Sequence, residues 1–220
     1  MNDSASPAIL TLGLFEKRFE GDDSLMQLSR LRFSETGMSA EVHAGSTEQL
    51  RPLLKFRPLD QAQVVVHLPR DYNLVEEKST QKIVELAKEF TGQIHGVVLH
   101  DHPAMASHLG DYVSAAWKLE NQLEQIRGCP TLFVEYAAGL EPEEFLQFFS
   151  DIRDLDHISA CVDIGHVGIR AARAAYAREH GGEDVCELKS QGPKLRQVIA
   201  EVESSVASAV DVVLELVDEL

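Results

Sequence analysis

The chain contains few cysteines, few aromatic residues and no long apolar run. Three of its 220 residues are cysteine, one is tryptophan, and aromatic residues make up 6% of the total. The cysteines are far apart in the sequence, which excludes a disulfide framework and a zinc knuckle and is typical of a reducing compartment. No run approaches the roughly 20 apolar residues that a membrane span requires, and the polar N-terminus lacks the features of a signal peptide. We therefore expect a cytoplasmic protein with no membrane partner.

Basic residues are also scarce. The chain has 20 lysines and arginines against 36 aspartates and glutamates, which gives a net charge of −16, and most of the acidic excess lies beyond residue 100. A field of this sign repels phosphate backbones, so a nucleic-acid partner is not expected. The hydrophobic content of 44% is that of a globular protein, and the length fits one domain over residues 1–220.

Six short runs rich in aliphatic residues predict β-strands. They are Ile9–Phe15, Ser39–His43, Val64–His67, Gly96–His100, Leu132–Glu135 and Ile158–Asp163. Several of these runs are continuously apolar rather than alternating, which is typical of strands that are buried on both faces.

Other segments have apolar residues spaced three and four apart, a pattern that predicts helices. They are Ser24–Phe33, Ser79–Phe90, Ser107–Ile126, Glu141–Asp151, Val167–His180 and Lys194–Leu220. The last of these is the longest, and a strand within Val210–Val217 is the less favoured alternative for part of it.

The order of these elements predicts an α/β fold with a parallel sheet. Successive strand ends are separated by about 30 residues, the length of a strand, a crossover helix and two loops. An open nucleotide-binding sheet would carry a glycine-rich turn after its first strand, but Gly13 stands alone there. A parallel (β/α) barrel of the TIM type is therefore favoured. A complete barrel has eight strands, so six runs predict an incomplete one over residues 8–180, followed by a long helix over residues 194–220.

Several predicted strands end in a side chain that can bind a metal. These residues are His67, His100, Glu135 and Asp163, with His166 close behind the last and with Glu41 and His43 at the end of the second run. Alone, a histidine at a strand end is more often structural, and a carboxylate there often caps the next helix. Together they favour a shared site, because the C-terminal strand ends of a parallel barrel meet at one mouth. Imidazoles and carboxylates suit a divalent ion such as Zn, Mn, Co or Mg.

Four short motifs occur in a fixed order between residues 8 and 170. They are His67-Leu-Pro69 followed by Asn73-Leu74, then Val-Leu-His100, then Phe-Val-Glu135, then Val-Asp163-Ile-Gly-His166. In their order and spacing they resemble the xylose-isomerase-like TIM barrels, a superfamily of sugar isomerases, ketose epimerases, inosose-type dehydratases and endonuclease IV. The stretch Gly37-Met-Ser-Ala-Glu41 is similar to the second strand of that superfamily, in which a glutamate often faces the mouth.

The resemblance implies a bound divalent metal and a set of residues that hold it. Glu135 and Asp163 match metal-binding positions in both the epimerase and the endonuclease branches. His67 and His100 match metal ligands of the endonuclease branch. His166 matches a residue that contacts the substrate in epimerases and the metal in the endonuclease.

The resemblance also implies a reaction. As an isomerase or epimerase, the protein would act on a small ketose or polyol, with a metal that polarises the carbonyl and with Glu135 as both ligand and proton-transfer base. Glu41, Asn73 and His166 would bind this substrate. The alternative is a metal-dependent phosphodiesterase of the endonuclease type.

A third hypothesis is a non-catalytic barrel that serves as a scaffold or binding protein. The superfamily's ligands from its seventh and eighth strands have no match after His166, and open strand edges invite aggregation. The chain is therefore expected either to be truncated or to cover the gap with its C-terminal helix or a partner. The valine stripe of that helix is a candidate surface for a partner or for a homo-oligomer, or it packs on the barrel wall.

Overall fold

The structure is a computed structural model. It describes residues 13–15, 24, 25, 28, 39–54, 63–137, 139–185 and 193–219. Most of the helix predicted over Ser24–Phe33 and the first residues of the predicted first strand lie outside this part of the chain. Among the residues described, no helix combines the length and the apolar character that a membrane span requires.

The described strands form one parallel sheet in which each strand pairs with the next along the chain. They are β1 (Gly13–Phe15), β2 (Ser39–His43), β3 (Val64–His67), β4 (Gly96–His100), β5 (Thr131–Tyr136) and β6 (Ile158–Val162), in the order β1-β2-β3-β4-β5-β6. The prediction of an α/β fold with a parallel sheet is confirmed. A sequential order without reversal is the one found in a TIM barrel, whereas a doubly wound sheet reverses its order near the middle. Among the described strands the sheet is not closed, because β1 and β6 are its edges.

Helices connect and follow the strands. They are α1 (Thr47–Leu54), α2 (Glu77–Glu89), α3 (Met105–Leu123), α4 (Pro142–Asp151), α5 (Ile164–Glu179), α6 (Pro193–Gln197) and α7 (Ile199–Glu219). Helix α1 was not predicted, since it is short and contains Pro52. Its first turn is supported by the Ser46 hydroxyl, which accepts a hydrogen bond from the Gln49 backbone N–H. The prediction of one helix over Lys194–Leu220 is wrong in one respect, because the helix is interrupted at Val198. The strand alternative within Val210–Val217 is also wrong, since these residues lie in α7.

The two faces of the sheet have different roles. Val66, Leu99 and Val134 are at most 1% exposed, and they belong to the hydrophobic core that the sheet shares with the helices. Helices α1 to α4 each contact the next along the chain, which is expected when the crossovers lie on one side of the sheet. Side chains alternate along a strand, so the opposite face receives the residue that follows each of these three: His67, His100 and Glu135.

A buried carboxylate ties helix α3 to the start of β6. Glu120 is 3% exposed, and its carboxylate accepts hydrogen bonds from the backbone N–H groups of Asp156 and His157 and lies 2.7 Å from His157 Nδ1. A buried carboxylate is costly unless such partners satisfy it. Glu120 therefore fixes where β6 begins, and with it the position of the site residues at the other end of that strand.

Helix α7 carries apolar residues on more than one face. Ala209 and Leu216 are buried, and α7 packs mainly on α5. Val206, Val210 and Leu214 remain at least 54% exposed. The packing of one face explains part of the predicted valine stripe. The docking of a partner or a second copy on the exposed part stays a prediction.

Candidate metal centre

The carboxyl ends of the strands surround one cavity of about 800 Å³. Predicted site residues from five elements line it: Glu41, His67, His100, Glu135, Asp163 and His166. The strand register explains this convergence, because His43 pairs with His67 and His100 pairs with Glu135 across adjacent strands. The structure thus brings together residues that are more than 120 positions apart in the sequence.

Glu135 lies at the centre of the site and faces three imidazoles. Its Oε2 is 2.9 Å from His67 Nε2 and 3.5 Å from His100 Nε2, and its Oε1 is 3.3 Å from His166 Nδ1. Burial raises the pKa of Glu135, but the hydrogen bond with His67 and the charge of that imidazole outweigh burial and lower the pKa below its usual value. Glu135 is therefore an anionic, buried carboxylate whose two oxygens point to different partners.

The orientation of His67 is that of a metal-binding imidazole. Its Nδ1 lies 3.0 Å from the carbonyl oxygen of Leu68, and a carbonyl accepts hydrogen bonds, so Nδ1 carries a proton. The Nε2 lone pair of a neutral ring would then face the Glu135 carboxylate, an arrangement that needs a positive charge between the two. Either a proton on Nε2 or a metal ion supplies that charge. Histidines that bind metals commonly donate their second ring N–H to a carbonyl in this way.

Asp163 and His166 form a second group of candidate ligands around Glu135. Asp163 Oδ1 caps helix α5 by accepting hydrogen bonds from the backbone N–H groups of Gly165 and His166, at 2.7 and 3.2 Å. Its Oδ2 lies 3.1 Å from His166 Nδ1. This Nδ1 atom is buried and has no hydrogen-bond partner among the described residues, although two carboxylates lie close to it. A nitrogen that is aimed at two carboxylates without hydrogen-bond geometry fits a cation ligand.

Two sets of three donors therefore share Glu135. The first is His67, His100 and Glu135, and the second is Glu135, Asp163 and His166; the donor atoms of each set lie within 4.8 Å of one another. Mixed imidazole and carboxylate donors suit Zn²⁺ and the other divalent first-row ions better than Ca²⁺, which prefers oxygen alone. The donor set fits the divalent metal that the sequence predicts, and the Asp163 cap shows that one residue serves both the helix and the site.

The protonation states differ sharply between neighbouring histidines. Burial and the charge of His67 lower the pKa of His100 to about 4, so His100 is neutral and available as a ligand at physiological pH. Burial also acts to lower the pKa of His67, but the hydrogen bond to Glu135 and its negative charge raise it overall above the usual 6.5. In the absence of a metal, a proton on His67 therefore balances the charge of Glu135.

Glu41 lies on β2, with its Oε1 3.9 Å from Nε2 of both His43 and His67. The His43 ring stacks on the His67 ring with centroids 4.8 Å apart. Burial raises the pKa of Glu41, and the negative charges of Glu135 and Asp163 add to this, while His67 opposes it. Glu41 is thus a carboxylate that retains a proton at higher pH than an exposed glutamate does.

Asn73 is the one predicted site residue that does not line the cavity within the described part of the chain. It is buried, and its Oδ1 accepts a hydrogen bond from the Val75 backbone N–H at 3.2 Å. This contact closes a turn in the loop between β3 and α2, which uses the side chain locally.

Asp101 was not predicted as a site residue, yet its side chain holds the loop that follows β5 by hydrogen bonds. It is 5% exposed, and its carboxylate accepts hydrogen bonds from the backbone N–H groups of Ala137, Gly139 and Leu140 at 2.8 to 3.0 Å. A Cβ on Gly139 would come within 2.9 Å of the Asp101 backbone, so glycine permits this close approach. The sequence predicted a site at the neighbouring His100, but no pattern in it indicated that the Asp101 side chain contacts this loop.

Two further cavity residues, Arg70 and Cys161, were also missed. Cys161 is opposite Glu135 in the strand register, and burial together with the charges of Glu135 and Glu41 raises its pKa to about 12. Its thiol therefore stays protonated. Side chains alternate along a strand, so Cys161 lies on the same face as Asp163. This alternation could have predicted from the sequence that Cys161 lines the cavity.

The chemistry of this cavity rests on its own side chains and their geometry. No protein-family model matches the chain, and no curated protein is significantly similar to it.

Proposed function

We propose that the chain is a divalent-metal-dependent isomerase or epimerase of the xylose-isomerase-like TIM-barrel type, acting on a small ketose or polyol. The observation that carries this proposal is the pair of three-donor sets that share Glu135 in one cavity. A metal held by these residues would polarise the carbonyl and the adjacent hydroxyl of a sugar and so acidify the C–H bond beside the carbonyl.

Glu135 and Glu41 are suited to different parts of this chemistry. Glu135 is buried among three imidazoles, and its lowered pKa makes it a weak base and a good metal ligand. Glu41 has a raised pKa and a side chain that is 38% exposed, so it can accept a proton from a substrate and exchange it with solvent. A base of raised pKa is more effective near neutral pH. We therefore assign proton transfer to Glu41, with Glu135 as the ligand that positions the substrate.

Metal binding is the first test. The wild-type protein, purified without chelator and titrated with Zn²⁺ and Mn²⁺, is expected to bind at least one ion per chain. Glu135→Gln removes a donor from both sets and should abolish binding, whereas Asp163→Asn and His67→Asn each remove a donor from one set. The matched control is Glu124→Gln, which changes an exposed glutamate on another part of the chain and should bind as wild type. A wild-type protein that stays empty under every loading condition contradicts the proposal.

Proton exchange is the second test. The metal-loaded protein is incubated in D₂O with a panel of small ketoses, and deuterium at the carbon beside the carbonyl is followed by NMR. Glu41→Gln should lose this exchange but keep the metal. Loss of the metal in Glu41→Gln would show that Glu41 is a ligand and not the base.

A second candidate function is a metal-dependent phosphodiesterase. Two donor sets around a shared carboxylate are the arrangement of two-metal hydrolases, and the clustered imidazoles favour it. The net charge of −16 opposes a nucleic-acid substrate. Nicking of DNA that contains abasic sites, measured with and without added Zn²⁺, separates the two candidates, since the isomerase would leave the DNA intact.

A further inference from the structure

The cavity that holds the two donor sets also contains Arg70. Of the described residues that line the cavity, Arg70 is the one whose side chain is permanently positive. It is exposed at the mouth, and it forms no ion pair with any carboxylate in the described part of the chain. This is notable because the same cavity contains Glu41, Glu135 and Asp163, each of which has imidazole neighbours instead.

The backbone around Arg70 is held in place by contacts on both sides. The Tyr72 N–H donates to the Pro69 carbonyl at 3.1 Å and closes a four-residue turn with Arg70 in its second position. The Tyr72 hydroxyl donates to the Gly45 carbonyl. A Cβ on Gly45 would lie 2.8 Å from Pro69 Cγ, so the turn packs directly against the loop after β2. The backbone of Arg70 is therefore fixed, whereas its long side chain keeps some conformational freedom.

Arg70 is also close enough to the metal ligands to act on them. Its positive charge adds to burial and to the His67 charge in lowering the pKa of His100. A guanidinium that has no carboxylate partner offers a planar fork of N–H donors, which matches a phosphate or a carboxylate with two parallel hydrogen bonds.

We propose that Arg70 binds an anionic group of the substrate, so that the substrate is a phosphorylated or carboxylated sugar rather than a neutral one. This inference rests on the proposed function, because it places the reacting part of the same molecule at the two donor sets. Arg70 then determines specificity: a neutral sugar leaves the fork without a partner, and an anionic one fills it. The overall charge of −16 repels anions, and Arg70 supplies a positive charge that offsets this repulsion at the cavity.

Anion binding to the full chain tests the inference. Inorganic phosphate, acetate and, as the neutral probe, glycerol are titrated into the metal-free and the Zn²⁺-loaded protein by calorimetry. Arg70→Ala should weaken the binding of phosphate or acetate at least tenfold, the loss expected for a charge-assisted hydrogen bond. Arg70→Lys, which keeps the charge but lacks the fork, should bind with intermediate affinity. The anion that depends more strongly on Arg70 identifies the group, phosphate or carboxylate.

The controls separate this inference from the function on which it rests. Arg127→Ala changes another exposed arginine and should leave anion binding unaltered, and the unfolding midpoint of Arg70→Ala should equal that of wild type. If phosphate and acetate bind Arg70→Ala as tightly as wild type, the inference is overturned even though metal binding stands. If no metal binds, the proposed function fails, and the titrations of the metal-free protein still decide whether Arg70 holds an anion.

Discussion

Replacement of Asp101 by alanine is expected to destabilise the protein and to weaken its metal site together. The carboxylate satisfies three backbone N–H groups, of Ala137, Gly139 and Leu140, in the loop that begins two residues after Glu135. Each buried N–H left without a partner costs about 1–3 kcal/mol. The Leu140 N–H is buried, whereas those of Ala137 and Gly139 are half-buried, so water entering the vacated space recovers part of the loss. We expect a net decrease in the free energy of unfolding of about 3–5 kcal/mol.

The same loop follows the end of β5, one residue after Glu135, and so supports the strand end that positions this carboxylate. The Asp101 backbone N–H donates to the Glu135 carbonyl at 2.8 Å, and the substitution leaves this backbone contact in place, so we expect β4 and β5 to stay paired while the loop beyond them loosens. Groups that orient metal ligands typically change metal affinity by about 10–100-fold when removed. Asp101→Ala should therefore bind Zn²⁺ about 10–100-fold more weakly than wild type. Asp101→Asn keeps one acceptor oxygen and should lose about half as much stability.

Urea unfolding and Zn²⁺ titration measure the two effects. Asp111→Ala is the matched control, because the Asp111 side chain is 77% exposed and its removal should change the stability by less than about 0.5 kcal/mol. If the free energy of unfolding of Asp101→Ala fell by less than about 1 kcal/mol, the loop N–H groups would be shown to form hydrogen bonds with water instead. Unchanged metal affinity in a destabilised variant would refute the link between this loop and Glu135.

Two further predictions concern backbone space and pH. Gly139→Ala should destabilise the protein by about 1–3 kcal/mol, because its Cβ would lie 2.9 Å from the Asp101 backbone. Gly110→Ala should stabilise helix α3 by about 0.5–1 kcal/mol, because nothing lies within 4 Å of the new Cβ. Thermal unfolding of both variants measures the two effects, and equal effects would contradict the prediction. Zn²⁺ affinity should fall as the pH is lowered through the raised pKa of His67, since the proton and the metal compete for Nε2 between Glu135 and Glu41. In the metal-free protein the sign is opposite: the His67–Glu135 contact stabilises fully below the unfolded pKa of about 6.5 and is lost as the pH rises through the higher folded pKa. Calorimetric titrations and urea unfolding over about pH 5.5 to 8.5 follow both trends, and a metal affinity that does not vary with pH would exclude His67 as a ligand.

The strands and the metal donors were predictable because both depend on local patterns. Continuous runs of valine and leucine predicted β3 and β4 with their observed bounds, since apolar runs of that length are buried strands. The recurrence of strand ends about every 30 residues predicted the parallel order. His100 and Glu135 were predicted to meet because parallel strand ends converge, and the observed register pairs them directly.

The sequence by itself therefore determined the parallel sheet and the chemical type of its strand-end residues, because side-chain alternation and strand length are local properties of the chain. The tertiary structure decided which of those residues meet. It directed Asn73 into its own turn and brought Asp101 to the loop after Glu135. It also placed Arg70 at the mouth of the cavity, where none of the described carboxylates forms an ion pair with it. The Asp101 contacts join segments that are distant in sequence, whereas the Asn73 contact is with a residue two positions on, and hydrophobic periodicity along the chain encodes neither.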